Sequence, residues 1–162
     1  MKVLVDADKP PAALNVLLGG LVAGTLDITY AWAFWHIQAG VPAQRIFQSV
    51  AKGLLGPASY TGGTATAMLG LSLHFFIATS MSFAYYLVAS RWTALRQQPW
   101  LYGPAYGVLL YAIMNYVVVP LSAAGGRGSG GTLWVTLSII VHALLIGLPI
   151  ALITSRTFST AN

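Results

Sequence analysis

The sequence has no cysteine and no glutamate, and it is poor in charge of either sign. Only 7% of its 162 residues are charged, whereas soluble domains carry about a quarter. Such a chain cannot cover a water-facing surface with charge, and its mean hydropathy of +0.73 predicts that lipid is its main solvent. The absence of cysteine excludes disulfides, cysteine–zinc sites and iron–sulfur clusters.

Sequence motifs of common enzymes are absent as well. The chain contains neither H-E-x-x-H nor G-x-S-x-G, and Asp27 is the only acid after Asp8, so it has no partner for acid–base chemistry. We therefore expect no enzyme. The net charge of +5 is distributed in ones and twos between apolar segments, and this distribution excludes a nucleic-acid partner.

Four apolar segments are long enough to cross a bilayer, which takes roughly 20 helical residues. They cover about 12–35, 64–89, 101–121 and 133–154. Lipid offers the backbone no hydrogen bonds, so the segments are predicted to be helices, and residues 1–162 are predicted to form one all-α transmembrane domain, a four-helix bundle. The first segment is too long for a signal peptide, so we expect it to be retained.

Basic residues and the first loop predict the arrangement at the membrane surface. The side of the termini carries five of the eight Lys and Arg residues, so we expect the termini in the cytoplasm. The loop between Pro42 and Pro57 predicts a short amphipathic helix at the interface, either a cap on the bundle or a gate over a cavity. Its predicted apolar face consists of Ile46, Phe47, Val50, Ala51, Leu54 and Leu55, and its polar face consists of Gln44, Arg45, Gln48, Ser49 and Lys52.

Each predicted span carries a strongly polar residue near its middle, and we call Asp27, His74, Asn115 and His142 the polar layer. If each span is centred on the bilayer, all four lie within about two helical turns of the midplane. A charge at that depth costs roughly 2.5–3.5 kcal/mol, and ionisable groups there are functional candidates by default. The polar layer is therefore the candidate site.

Two GxxxG pairs, Gly20/Gly24 and Gly103/Gly107, predict faces where helices approach closely. The first pair shares a helical face with Asp27, so the polar layer is predicted to point into the bundle. The same two pairs also predict a contact between copies of the chain, and hence a homo-oligomer.

The polar layer leaves several functions open. The leading hypothesis is a binding or translocation site for a proton or a small solute, with the Tyr111 hydroxyl as a further polar group. The second is axial ligation of b-type haem by His74 and His142, or a transition-metal site that adds Asp27 to them. The third is a structural or assembly subunit whose polar side chains only join helices.

Two stretches carry a resemblance to known proteins: "GLSLHFFIATSMSFAYYLVASR" at 70–91 and "GPAYGVLLYAIMNYVVVPLSA" at 103–123. They resemble an uncharacterised family of small four-span bacterial inner-membrane proteins, and the similar part covers most of residues 15–125. The resemblance implies a location in the bacterial inner membrane. It implies no activity and assigns no site residue, and His142 lies outside the similar part.

Overall fold

A computed structural model describes residues 11–126 and 131–158, and this part of the chain is almost entirely helical, without a strand. Four of its helices are long and apolar enough to cross a membrane, so the predicted all-α four-helix bundle is confirmed. The helices are α1 (Ala12–Ala39), α2 (Ala43–Leu55), α3 (Gly63–Arg91), α4 (Thr93–Gln97), α5 (Pro99–Leu121) and α6 (Thr132–Phe158).

The chain runs up and down, which defines the two ends of the bundle. The α2 end carries α2 and the turn between α5 and α6, and the α4 end carries α4 together with Pro11 and Phe158. Which end faces the cytoplasm stays a prediction. Three of the eight basic residues used for it, Lys2, Lys9 and Arg127, lie outside the described residues.

Both GxxxG pairs are used for packing within the chain. A methyl group on Gly20 would lie 2.5 Å from the Cα of Thr79 in α3, and one on Gly103 would lie 2.8 Å from the Cα of Leu148 in α6. Backbones this close leave room only for glycine, and the pairs therefore bring α1 against α3 and α5 against α6. A contact between two copies of the chain stays a prediction.

A tightly packed core fills the α4 end. Tyr85 is 1% exposed and donates a hydrogen bond from its hydroxyl to the carbonyl of Leu95 in α4, 3.0 Å away. The Tyr106 hydroxyl donates to the Met81 carbonyl at 2.8 Å and so joins α5 to α3. The core consists of Ala23, Tyr85, Ala89, Leu95, Leu110, Ile146, Ile150 and Ala151.

The amphipathic helix predicted in the first loop is confirmed as α2, but its buried face differs from the predicted apolar face, in which Leu54 and Leu55 are 60% and 41% exposed. Ile46 and Ala51 are buried as predicted, but Gln48 is buried too, at 4% exposure, although it was assigned to the polar face. The physical reason is that α2 lies on the first turns of α3, where the Gln48 amide donates to the Gly63 carbonyl at 3.0 Å and to the Thr66 hydroxyl at 3.3 Å.

Candidate functional site

A cavity of about 340 Å³ lies inside the bundle, within the range of roughly 300–1,000 Å³ typical of ligand pockets. Asp27 of α1, His74 of α3 and His142 of α6 border it. Counted from the α2 end of their helices, they lie 12, 11 and 10 residues deep, or about 15–18 Å at the helical rise per residue. The structure therefore brings three of the four members of the polar layer to one space at one depth.

The two ends of the cavity differ. Toward the α4 end it stops at Ala23, Met81 and Ile146, and Ala23 and Ile146 belong to the packed core. Toward the α2 end it is covered by α2 and by the turn after α5, which are joined by a hydrogen bond from the Ala123 amide to the Gly53 carbonyl at 2.9 Å. The core thus closes the cavity on one side, whereas on the other side the cavity lies beneath α2 and is not enclosed, since Ser49 of its wall is exposed.

Hydrogen bonds to backbone carbonyls fix both imidazoles. The Nε2 atom of His74 lies 2.8 Å from the carbonyl oxygen of Gly24, and the Nδ1 atom of His142 lies 2.8 Å from that of Ser138. Because a carbonyl oxygen only accepts, each of these nitrogens carries the hydrogen. A neutral ring then keeps a lone pair on its other nitrogen, so each histidine can accept one hydrogen bond.

Asp27 differs from the histidines because the described chain gives its carboxylate no donor. None of the side-chain hydrogen bonds within residues 11–126 and 131–158 reaches it, and no lysine or arginine is among the described residues on the cavity wall. Asp27 is also the only acid in the described part of the chain. A half-buried carboxylate that accepts no hydrogen bond from the described chain is costly in a membrane span, so Asp27 makes the cavity the candidate site.

Asn115 and Tyr111, the other predicted site residues, do not border the cavity. The Asn115 amide donates to the Tyr111 carbonyl of its own helix at 2.9 Å, so one of its two N–H groups is used within α5. The buried Tyr111 ring stands edge-on to the His142 ring, with 5.3 Å between their centroids. Tyr111 therefore supports the position of His142 from behind. The functional role of both residues stays a prediction.

Sequence reasoning missed two widened helical turns on the cavity wall. The π turns Met114–Val118 in α5 and His142–Gly147 in α6 both contribute residues to the border. Each is followed within two residues by a proline, Pro120 or Pro149, whose ring lacks an N–H and would clash with the carbonyl four residues earlier. A proline inside an apolar span was the available signal, and such turns are frequent at functional sites.

The sequence also did not indicate an aromatic cluster beside the cavity, which we define as Tyr30, Phe34, Trp35 and Trp134. Trp134 borders the cavity and stacks on Tyr30 with 5.3 Å between centroids and 7° between planes. The Tyr30 hydroxyl is hydrogen-bonded to the Ser138 hydroxyl at 3.1 Å, which ties α1 to α6. Tryptophans near helix ends are expected at the membrane interface, and their position alone did not reveal this cluster.

The predicted transition-metal site of Asp27, His74 and His142 is not formed in this structure. Among the described residues, no three His, Cys, Asp or Glu side chains are placed so that they could hold one metal ion. Haem ligation needs only the two histidines and stays a prediction.

Comparisons with known proteins do not add a family. No family model, no curated protein and no solved structure matches the chain. The function proposed below is therefore inferred from the geometry of the cavity.

Proposed function

We propose that the protein binds a small solute or a proton in this cavity and translocates it across the bacterial inner membrane. Asp27 is the binding group, and His74 and His142 are its neighbours on the cavity wall. The observation that carries the proposal is the Asp27 carboxylate, which accepts no hydrogen bond within residues 11–126 and 131–158 and borders a mid-span cavity together with two imidazoles from other helices. A purely structural role would instead place the polar groups against one another.

Buried polar groups beyond the sealed end favour translocation over binding alone. The hydroxyls of Ser82 and Thr154 are buried without a hydrogen-bond partner in the described chain, and the Asn15 amide donates to the Thr157 hydroxyl at 2.8 Å. These groups continue from the cavity toward the α4 end and would form the second half of the route in another state. The face of α1 along this route has a four-residue spacing: Asp27, Ala23, Gly19 and Asn15.

Haem binding is a second candidate because both histidines border the same cavity and each neutral ring keeps one free nitrogen. The absorption spectrum of protein purified in mild detergent separates the two candidates. A Soret band that is lost in both His74→Ala and His142→Ala supports haem. A colourless protein that still gives the labelling and binding results expected below contradicts haem binding.

The cysteine-free sequence permits a direct test of the proposed function by single-cysteine labelling. Ile77 borders the cavity, whereas its neighbour Phe76 is 70% exposed on the outside of the bundle, in the position of lipid contact. Ile77→Cys and Phe76→Cys are therefore matched variants at one depth. A membrane-impermeant thiol reagent is applied to intact cells and to inverted membrane vesicles.

We expect Ile77→Cys to react from the α2 side and, more slowly, from the α4 side, while Phe76→Cys reacts from neither. Reaction from the α2 side alone would overturn translocation and leave a binding site. Equal rates for the two variants would overturn the whole proposal, since the cavity would not be reached by water.

A further inference from the structure

We infer that the solute is a protonated primary or secondary amine with a small apolar body, and that Asp27 is its counter-ion. This inference rests on the proposed function and names its substrate class. It follows from three properties of the cavity wall, which are the direction of its hydrogen bonds, its charge and the apolar character of most of its surface.

Almost every polar side chain on the wall has already donated its hydrogen and is left as an acceptor. His74 and His142 donate to backbone carbonyls, as described above. The Ser49 hydroxyl donates to the Ile46 carbonyl at 2.6 Å, and the Ser122 hydroxyl donates to the Val119 carbonyl at 2.8 Å. The Ser122 oxygen also accepts from the Ala124 amide at 3.2 Å, so it keeps one lone pair for a ligand. The indole N–H of Trp134 is the exception. A wall of acceptors selects a ligand that brings donors of its own.

The charged group on the cavity wall is negative, as binding of a cation requires. Asp27 is the acid on the described wall, and no lysine or arginine accompanies it there. A bound cation would neutralise the carboxylate and remove the cost of an unpaired charge inside a span. An anion would meet the same carboxylate with repulsion, and a neutral solute would leave it unpaired. The ligand is therefore a cation with N–H groups.

The remaining wall does not suit a divalent metal ion and favours an organic cation. Ca²⁺ and Mg²⁺ need several oxygen ligands around one point, whereas a single carboxylate is available here and no metal-binding group is formed in the described chain. Much of the wall is apolar, with Ala23, Ile77, Met81 and Ile146 at its inner part. Trp134 provides an aromatic ring for a cation–π contact. These surfaces suit the hydrocarbon body of an amine.

Isothermal titration calorimetry on the full-length protein in detergent tests the inference with three probes of one shape. The probes are cyclohexylamine, which is protonated at pH 7, cyclohexanol and cyclohexanecarboxylate. We expect the native protein to bind the amine and neither of the others. Asp27→Asn should weaken amine binding roughly 10- to 100-fold, as expected for loss of one charge-assisted hydrogen bond. Ser80→Ala, on the lipid-exposed side of α3, is the control and should bind like the native protein.

Two results would overturn the inference. One is binding of cyclohexanol or the carboxylate as strong as that of the amine, a comparison made on native protein that needs no variant to fold. The other is no amine binding by a protein whose Ile77→Cys variant is labelled normally, which would leave the proposed function intact. Failure of the labelling itself would instead overturn the proposed function.

Discussion

The imidazole of His74 and the backbone of Gly24 are joined by a hydrogen bond of 2.8 Å that crosses from α3 to α1. This bond explains how a histidine can lie in the apolar stretch from Gly70 to Ala78. One ring nitrogen is satisfied by a carbonyl of the neighbouring helix, and the ring borders the cavity. His74 therefore combines a packing contact with a place at the candidate site.

Substitutions of His74 should separate these two contributions. Glutamine keeps an N–H donor that can reach the Gly24 carbonyl, so His74→Gln should unfold thermally like the native protein. His74→Leu removes the donor and should lose about 0.6–1.7 kcal/mol of stability, the range for a hydrogen bond between transmembrane helices. Thermal unfolding in detergent, followed by circular dichroism, measures the difference. Equal stability of the two variants would show that the bond contributes nothing.

Asp27→Asn should leave the stability of the protein unchanged or increase it. The carboxylate has no hydrogen-bond partner in the described chain, so the substitution removes no contact and abolishes a charge inside a span. The melting temperature in detergent is the measurement, with His74→Leu as a destabilised reference. A marked fall in melting temperature would indicate that Asp27 holds helices together, and would contradict its assignment as a binding group.

Gly107→Ala should destabilise the bundle by about 1–3 kcal/mol, because the backbones of α5 and α6 lie so close together here that no space remains for another carbon atom. A methyl group there would press on the His142 carbonyl and lie 2.7 Å from the Cα of Ala143, at the start of the π turn in α6. Gly131→Ala is the control, since nothing lies within 4 Å of its added methyl group. If both variants melt together, the close approach of α5 and α6 is wrong.

Gln48→Ala should widen access to the cavity at the α2 end. The Gln48 amide makes two hydrogen bonds to the start of α3, and their loss should let α2 leave its place more often. The rate at which Ile77→Cys reacts with the impermeant reagent should rise. The control is Gln44→Ala, an exposed glutamine on the same helix. Each substitution is combined with Ile77→Cys. If both combined variants react at the same rate as Ile77→Cys alone, α2 does not limit access of the reagent to the cavity.

The spans and the depth of the polar layer could be predicted because both depend on local sequence. Apolar runs set the helices, and glycines at intervals of four, such as Gly20 and Gly24, indicated which face turns inward. The observed helices extend a few residues beyond the predicted runs, because Ala39 and Arg91 continue regular helices past the apolar segments.

The remaining features depend on how the helices are placed relative to one another. The cavity is a gap between helices, so the sequence of a single helix does not predict it. For the same reason, spacing alone could not show that His142 borders the cavity and Asn115 does not. After a π turn, each residue points to a different side of the helix from the one that a regular period of 3.6 residues predicts. Pro120 and Pro149, which follow the two π turns, were the only indication of these turns in the sequence. Gln48 is buried because the first turn of α3 lies against it and offers the Gly63 carbonyl and the Thr66 hydroxyl as acceptors.

The claim that the Asp27 carboxylate faces a water-filled cavity is tested most directly by chemical modification of that carboxylate. Intact membranes are treated with a water-soluble carbodiimide and glycine ethyl ester, and the modified residues are mapped by mass spectrometry, with denatured protein as the reference for full reactivity and Asp27→Asn as the blank. We predict that Asp27 is converted to the amide in the native protein. An Asp27 that stays unmodified in membranes but reacts after denaturation would contradict the account.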